Sequence, residues 1–186
     1  GGHSDVIAGA CLGSFELMAR VKGLRTFLGN MAGPWTGWLL MRSLETLKVR
    51  MDQQAENAQH VAAYLNNHPK VEAVYYIGNT YENGTPAERE VIERQFSSFG
   101  AMIAFDVKGG EKEAFQFLDN LKLIKLAVSL GGTESLAEHP QTMTHADVDP
   151  EDKKVMNITE KLVRLSIGVE NYNDIIADIN QSLATI

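Results

Sequence analysis

A stripe of apolar residues at three- and four-residue steps is the feature that most constrains the fold of this chain. Such spacing places the residues on one face of a helix. The stripe consists of Leu40, Leu44, Leu47, Met51, Ala55, Ala58, Ala62 and Leu65. It ends at Asn66-Asn-His-Pro69, because a proline disfavours helical backbone in the residue before it. The pattern therefore predicts one long helix that buries this face.

Strand patterns and helix patterns are mixed along the rest of the chain. Strands are predicted at 6–12, 71–77, 101–107, 123–128 and 163–169. Helices are predicted at 14–22 with Ser14 as N-cap, at 86–94, at 111–121 and at 172–183 with Asn171 as N-cap. Loops are predicted at 25–36, 78–87 and 129–150. This mixture predicts an α/β or α+β class, with the long helix joining two structural regions.

Composition excludes some classes of partner and of fold. With 186 residues, 44% of them hydrophobic, the chain has enough apolar surface for one large domain or parts of two. The net charge of −7 and the lack of a basic stripe argue against a nucleic-acid partner. No apolar stretch approaches the roughly 20 residues that span a bilayer. Cys11 is the only cysteine, so a disulfide framework is excluded, and we expect it to be a small buried hydrophobic residue in a reducing compartment.

Arg164 is the only charge in the run Val163-Arg-Leu-Ser-Ile-Gly-Val169. Alternation gives this strand one aliphatic face and one face that carries the guanidinium between small residues. A buried guanidinium requires an anionic partner, and its planar fork suits a carboxylate. From the sequence alone the partner is either an Asp or Glu of the protein, which is the commoner case, or a bound acid.

Two further segments could carry chemistry. The loop Ser129-Leu-Gly-Gly-Thr-Glu-Ser-Leu136 follows a predicted strand. Its glycines could expose backbone N–H groups to an anion, although a turn capped by Thr133 is the commoner structure. In Glu138-His-Pro-Gln-Thr-Met-Thr-His145 the histidine spacing does not match a zinc site, and we expect no metal there. Thr142 and Thr144 are expected instead to bond a polar group in a buried loop.

The segment Gly1-Gly-His-Ser-Asp5 contains the residue types of a hydrolytic triad. Neighbours in sequence rarely share triad geometry, so a local turn network is expected here. A hydrolase that uses His3, Ser4 and Asp5 stays a remote alternative.

Five blocks in order resemble one enzyme family. They are Gly2-His-Ser-Asp5 with Ala8-Gly9, Arg42-Ser-Leu-Glu-Thr-Leu-Lys-Val-Arg-Met51, Ser129-Leu-Gly-Gly132 with Glu134-Ser-Leu136, His139-Pro140 with Met143-Thr-His145, and Leu162-Val-Arg-Leu-Ser-Ile-Gly-Val-Glu170. Together they resemble the pyridoxal-phosphate (PLP) enzymes of cysteine and methionine metabolism. That family includes cystathionine γ-synthase, cystathionine γ- and β-lyase, methionine γ-lyase and the homoserine-ester sulfhydrylases.

The resemblance implies the C-terminal part of a longer, fold-type-I (aminotransferase-like) enzyme. Residues 1–33 would end the large PLP-binding domain, 34–65 would form the connecting helix, and 66–186 would form a small α/β domain with a mostly antiparallel sheet. The Schiff-base lysine of the family precedes Gly2-His-Ser-Asp5, so neither catalytic nor cofactor-binding residues are expected in this chain. The implied partners are the N-terminal part of the enzyme and an amino-acid substrate, within a cytoplasmic homotetramer.

The resemblance also implies roles for single residues. Arg164 would bind the substrate α-carboxylate, with Ser129 beside it and Thr144 in support. Val128 would influence specificity, because methionine γ-lyases commonly have Val there and cystathionine enzymes commonly have Glu. This favours γ-elimination of methionine-like substrates to thiol, 2-oxo acid and ammonia. A cystathionine γ-lyase, a cystathionine γ-synthase or a sulfhydrylase is the alternative, and a non-catalytic oligomerisation or binding domain is the alternative of another class.

Overall fold

The computed structural model describes residues 1–186 and divides into two compact units, residues 1–48 and residues 49–186. The first unit contains helices α1 (Phe15–Leu28) and α2 (Pro34–Glu45). Ser14 caps α1 as predicted, since its hydroxyl accepts a hydrogen bond from the N–H of Leu17. The helix continues past the predicted end at Lys22, and Gly29 terminates it with a left-handed φ of 74°.

The predicted strand at 6–12 is wrong. Residues 5–14 have no regular secondary structure, and Ile7 and Leu12 are almost fully exposed. A strand requires a neighbouring strand for its backbone hydrogen bonds, and residues 1–48 contain none. Cys11 is exposed as well, so its predicted burial is also wrong.

The predicted long helix is interrupted at Thr46. Its backbone, with φ −106° and ψ 4°, leaves the helical range, and a second helix, α3 (Leu47–Asn66), follows. The predicted stripe is buried at Ala55, Ala58, Ala62 and Leu65, whereas Leu44 and Leu47 are exposed, so the prediction is confirmed only for the C-terminal part of the stripe.

The second unit contains a five-stranded sheet. Its strands are β1 (Val71–Tyr75), β2 (Met102–Val107), β3 (Lys125–Leu126), β4 (Leu136–Glu138) and β5 (Leu162–Ser166). Their spatial order is β1-β2-β5-β4-β3, with β3 and β4 parallel and the other pairs antiparallel. The sheet is thus mostly antiparallel, as predicted.

Five more helices complete the second unit. They are α4 (Ile77–Asn83), α5 (Pro86–Gln95), α6 (Glu111–Asn120), α7 (Pro150–Val155) and α8 (Tyr172–Leu183). The predictions for α5, α6 and α8 are confirmed, and Asn171 caps α8. All three loop predictions are wrong in part, because 25–36 contains the end of α1 and the start of α2, 78–87 contains most of α4, and 129–150 contains β4. None of the helices has the length and apolar composition needed to cross a membrane.

The core of the second unit lies on one face of the sheet. Apolar side chains of β2 and β5 pack there with side chains of α3, α6 and α8 in one buried cluster. Successive residues of a strand point to opposite faces. Because Leu165 and Ala137 belong to the core, Arg164 and Glu138 project from the opposite face, which we call the second face of the sheet.

Candidate functional site

Arg164 lies in the middle of β5 and projects from the second face. Its register partners are Ala104 on β2 and Glu138 on β4. Nη1 of Arg164 lies 2.6 Å from Oε1 of Glu138, whose side chain is fully buried. The arginine side chain itself keeps 19% of its surface exposed. The expectation of an ion pair within the protein is therefore confirmed, and Glu138 is the partner.

The second terminal nitrogen of the guanidinium, Nη2, is held by backbone carbonyl groups. Nη2 of Arg164 donates to the carbonyl oxygens of Val128 at 3.0 Å and Ser129 at 3.1 Å. The structure thus brings both of these predicted residues to Arg164 through their main chain, while both residues remain exposed. Three acceptors in two directions fix the plane of the guanidinium.

Thr144, the third predicted site residue, joins the site through Glu138. Its hydroxyl donates to the same Oε1 atom that binds Arg164, at 3.0 Å. Oγ1 of Thr144 also lies 2.9 Å from Nδ1 of His145. Because the single hydroxyl proton goes to Glu138, the histidine must be the donor in this second contact.

Two polar atoms of the ion pair lack a partner. Oε2 of Glu138 and Nε of Arg164 are buried and make no hydrogen bond. A guanidinium carries five N–H groups. Glu138, Val128 and Ser129 engage three of them, which leaves the buried Nε–H and one N–H of Nη1 without an acceptor in this chain.

The loop that holds Arg164 is anchored from two sides. The N–H of Gly131 donates to Oγ of Ser166 at 2.9 Å, and the amide of Gln54 donates to the carbonyl of Gly132. The hypothesis that this loop binds an anion loses support, because the Gly131 N–H already has an acceptor within the protein. Gly131 has a φ of 71°, which favours glycine at this turn.

A second loop, at residues 168–170, is tied to the first by buried side chains. Asn57 donates to the carbonyls of Gly168 and Glu170, at 3.0 and 2.7 Å. Glu170 accepts hydrogen bonds from the backbone N–H and the hydroxyl of Ser135, at 2.6 and 2.8 Å. These contacts fix both loops against α3 and the start of β4.

Sequence reasoning missed the positioning residues Glu138, Gln54, Asn57, Ser135 and Ser166. A signal existed for Gln54 and Asn57, because both are polar residues beside the apolar stripe of the helix. Glu138 gave no such signal, because β4 was predicted as loop and its register against Arg164 was not visible.

The other candidate segments do not form reactive sites. Nε2 of His139 lies 2.8 Å from the carbonyl of Glu160, so it carries the proton, and Nδ1 accepts from the hydroxyl of Thr142 at 2.8 Å. His139 is thus a buried residue with both nitrogens satisfied, and Thr142 bonds within the loop as predicted. At the chain start, Nδ1 of His3 contacts the carbonyl of Gly1 at 3.3 Å, as a local turn would.

A separate polar cluster lies beyond Arg164 along the second face. Asp106 accepts hydrogen bonds from the hydroxyls of Tyr75 at 2.9 Å and Thr159 at 3.0 Å. Burial, together with the Asp106 carboxylate, raises the pKa of Tyr75. Burial also raises the pKa of Tyr76 to about 12, but its hydroxyl contacts only the carbonyl of Gly100. Neither tyrosine touches Arg164.

Fold and site together define the second unit as an α/β domain that presents one fixed arginine beside a glycine-containing loop. Comparison with known proteins places this domain in a family. The chain matches the model of the Cys/Met metabolism PLP-dependent enzymes over residues 1–184. It belongs to that family.

Individual relatives carry several enzyme names. The chain is 43% identical over 187 residues to L-methionine gamma-lyase of Fusobacterium nucleatum subsp. polymorphum, covering 100% of this chain and 46% of that protein. It is 41% identical to cystathionine gamma-lyase of Bacillus subtilis (strain 168), covering 100% and 48%. Its fold is similar to the crystal structure of cystathionine gamma-lyase from Lactobacillus plantarum complexed with L-serine, with a TM-score of 0.89, 35% identity, and 100% and 48% coverage. The chain thus spans about half the length of these relatives.

Proposed function

We propose that this chain supplies the substrate-carboxylate site of a PLP-dependent enzyme of sulfur amino-acid metabolism, with Arg164 as the ligand. The observation that carries the proposal is the guanidinium itself. It is held in one plane by Glu138, Val128 and Ser129, stays partly exposed, and keeps one N–H of Nη1 without an acceptor in this chain. Every amino-acid substrate offers an α-carboxylate, and the relative from L. plantarum was solved with L-serine.

The residues around Arg164 do not fit attachment of the cofactor. PLP is held by its enzymes through a lysine amine. The polar contacts of Arg164 are Glu138 and two backbone carbonyls, with Thr144 behind them. In the family that this chain resembles, the attachment lysine precedes the Gly2-His-Ser-Asp5 segment, and we propose that it belongs to the N-terminal part of the complete enzyme, which this chain does not span.

The role of this chain in the reaction is orientation. When bound, the cofactor supplies an electron sink. A substrate carboxylate held by Arg164 fixes the rotation about the N–Cα bond of the substrate. This rotation selects which bond of Cα is broken. Ser129 lies next to this position, and we assign its hydroxyl a hydrogen bond to the same carboxylate. Thr144 acts one step away, through Glu138.

We propose γ-elimination of a methionine-like substrate as the reaction. Val128 supports this, because its exposed apolar side chain stands beside Ser129 and suits a thioether better than an ammonium. Identity to L-methionine gamma-lyases also supports it. The second candidate is a cystathionine γ-lyase or γ-synthase, which the relatives from B. subtilis and Arabidopsis thaliana favour.

The substitution Val128→Glu in the complete enzyme tests whether Val128 sets the choice between these two substrates. An added carboxylate attracts the distal ammonium of cystathionine, whereas packing an apolar thioether against it costs desolvation of the charge. We expect kcat/KM for methionine to fall and the ratio of cystathionine to methionine turnover to rise about tenfold. An unchanged ratio would remove Val128 from the specificity site.

The substitution Arg164→Lys tests the carboxylate role. Lysine keeps a positive charge for the buried Glu138 but loses the planar fork. In the cofactor-loaded complete enzyme we expect KM for methionine to rise by about tenfold or more, with cofactor absorbance unchanged. The matched control is Arg89→Lys, since Arg89 is an exposed helical arginine that contacts the carbonyl of Glu82. An unchanged KM in Arg164→Lys would contradict the proposal.

Three wider statements accompany the proposal. Residues 1–33 would end the PLP-binding domain, 34–65 would connect the domains, and 66–186 would form the small domain. The complete enzyme would be a cytoplasmic homotetramer, which analytical ultracentrifugation would test. A complete protein that binds no PLP would instead point to a non-catalytic assembly domain.

A further inference from the structure

We propose that Glu138 is a positioning residue that holds Arg164 in place for the substrate carboxylate without contacting the substrate. This inference rests on the proposed function of Arg164. In this role the length of the Glu138 side chain and the direction of its carboxylate oxygen matter, whereas its charge is secondary.

The sheet itself sets the pair. Glu138 and Arg164 are directly opposed in the β4–β5 register, so their side chains leave the second face as neighbours. The turn after β4 then brings Thr144 back over the glutamate, through backbone hydrogen bonds from Met143 to His139 and from His145 to Pro140. Glu138 is therefore fixed by its strand below and by the Thr144 hydroxyl beside it.

Both contacts of the carboxylate fall on one atom. Oε1 of Glu138 accepts from Arg164 at 2.6 Å and from Thr144 at 3.0 Å, while Oε2 has no partner. A glutamine can supply the same single oxygen at the same distance, with its NH₂ group in place of Oε2. An aspartate keeps the charge, but its oxygens are about 1.5 Å further from Arg164 because one C–C bond is missing.

Positioning has a thermodynamic value here. A free arginine side chain has many rotamers, and ordering them upon binding weakens affinity. Glu138 on Nη1, with the two carbonyls on Nη2, orders the guanidinium before any ligand arrives. If the length of the side chain is what matters, Glu138→Gln still binds the substrate carboxylate well and Glu138→Asp binds it poorly. A purely electrostatic role would give the reverse order.

The test compares two small amines that differ only in the carboxylate. Glycine and methylamine are titrated by calorimetry into the complete, cofactor-loaded enzyme, and the ratio of the methylamine Kd to the glycine Kd is the carboxylate preference. This ratio is a binding measurement, independent of turnover. General damage to the site weakens both ligands and leaves the ratio unchanged.

The expected results follow from the geometry. Glu138→Asp should lower the carboxylate preference about tenfold, while Glu138→Gln should keep it within about 1.5-fold. The control Glu72→Gln removes the charge of another glutamate of the same sheet, one that pairs with Lys161 at 2.6 Å, and should leave the preference unchanged.

The failures of the two proposals are distinguishable. If Arg164→Lys lowers the carboxylate preference but Glu138→Asp does not, or if Glu138→Gln is the more damaging variant, the positioning role is overturned and the role of Arg164 stands. If Arg164→Lys leaves the preference unchanged, the proposed function itself fails.

Thr144→Val is the second route if Glu138→Asp does not fold, as judged by circular dichroism. It removes the hydroxyl that steadies Oε1 of Glu138. We expect the carboxylate preference to fall by about threefold. An unchanged preference in a folded Thr144→Val enzyme would overturn the positioning role.

Discussion

Residues 1–48 and residues 49–186 differ in what their apolar side chains contact. Phe15 and Phe27 of the first unit are more than nine-tenths exposed, and α1 has no buried residue. Phe105 and Phe117 of the second unit are fully buried and pack edge to face, with ring centroids 5.4 Å apart. The residue types are the same, so composition does not separate the units. The difference shows that an apolar pattern yields a core only where the chain also supplies the opposing surface.

The first unit therefore leaves its large apolar side chains exposed in a chain that spans about half the length of its relatives. The second unit, by contrast, buries its own core and fixes Arg164 through its own side chains.

The largest expected effect is in the core of the second unit. Phe117→Ala should lower the free energy of unfolding by about 3–5 kcal/mol, because it leaves a cavity beside Phe105. Phe27→Ala should change the stability of the 186-residue chain by less than about 0.5 kcal/mol, because this side chain is exposed. Urea unfolding of both variants measures the contrast. Equal losses would contradict the exposure of Phe27.

A smaller effect is expected at a buried carboxylate of α8. Asp178 accepts hydrogen bonds from the backbone N–H groups of Lys122, Leu123 and Ile124, each at 2.9 Å. Asp178→Ala leaves these donors unsatisfied and should lower the free energy of unfolding by about 2–4 kcal/mol. The exposed Asp174→Ala on the same helix is the control and should lower it by less than about 1 kcal/mol. Similar losses would mean that negative charge on α8 matters more than the three backbone hydrogen bonds that Asp178 accepts.

The smallest expected effect on stability comes from a helix cap, where the two units differ. α1 is capped by the Ser14 hydroxyl, whereas α5 adds a carboxylate, since Glu88 accepts from the N–H of Thr85 at 2.7 Å. This hydrogen bond lowers the pKa of Glu88 from its ordinary 4.5. The carboxylate therefore stabilises the fold above its ordinary pKa, and the stabilisation is lost as pH falls through the lowered pKa.

Glu88→Gln measures that contribution. The melting temperature of the parent chain should exceed that of Glu88→Gln at neutral pH, and the gap should close in acid. Glu90→Gln makes the same change of charge on the same helix and corrects for general charge effects. A gap that persists or widens in acid would rule out the capping carboxylate.

The sequence predicts elements well where local signals agree with packing. β5 follows from strict alternation around Arg164, and α8 from its Asn171 cap and apolar stripe. The sequence also predicts an anionic partner for Arg164, because a buried guanidinium needs one, and it favours a protein carboxylate over a bound acid. The identity of that carboxylate does not follow, since it depends on strand register.

The misses have physical causes. β4 is only three residues long and exists because β3 and β5 pair with it on both sides. α4 contains Gly78, Asn79 and Asn83, which are poor helix formers, and Gly78 packs against the rings of Tyr76 and Phe99. The apolar run at 6–12 has no strand beside it. In each case the presence or absence of a distant contact decides the structure, and the local pattern does not.

The most direct test of the role of Arg164 is a crystal structure of the complete, cofactor-loaded enzyme with glycine bound. We expect a carboxylate oxygen of glycine to lie within about 3 Å of a guanidinium nitrogen of Arg164, with Glu138 still on Nη1. A glycine carboxylate bound to other residues, with Arg164 contacting only Glu138, Val128 and Ser129, would contradict this role.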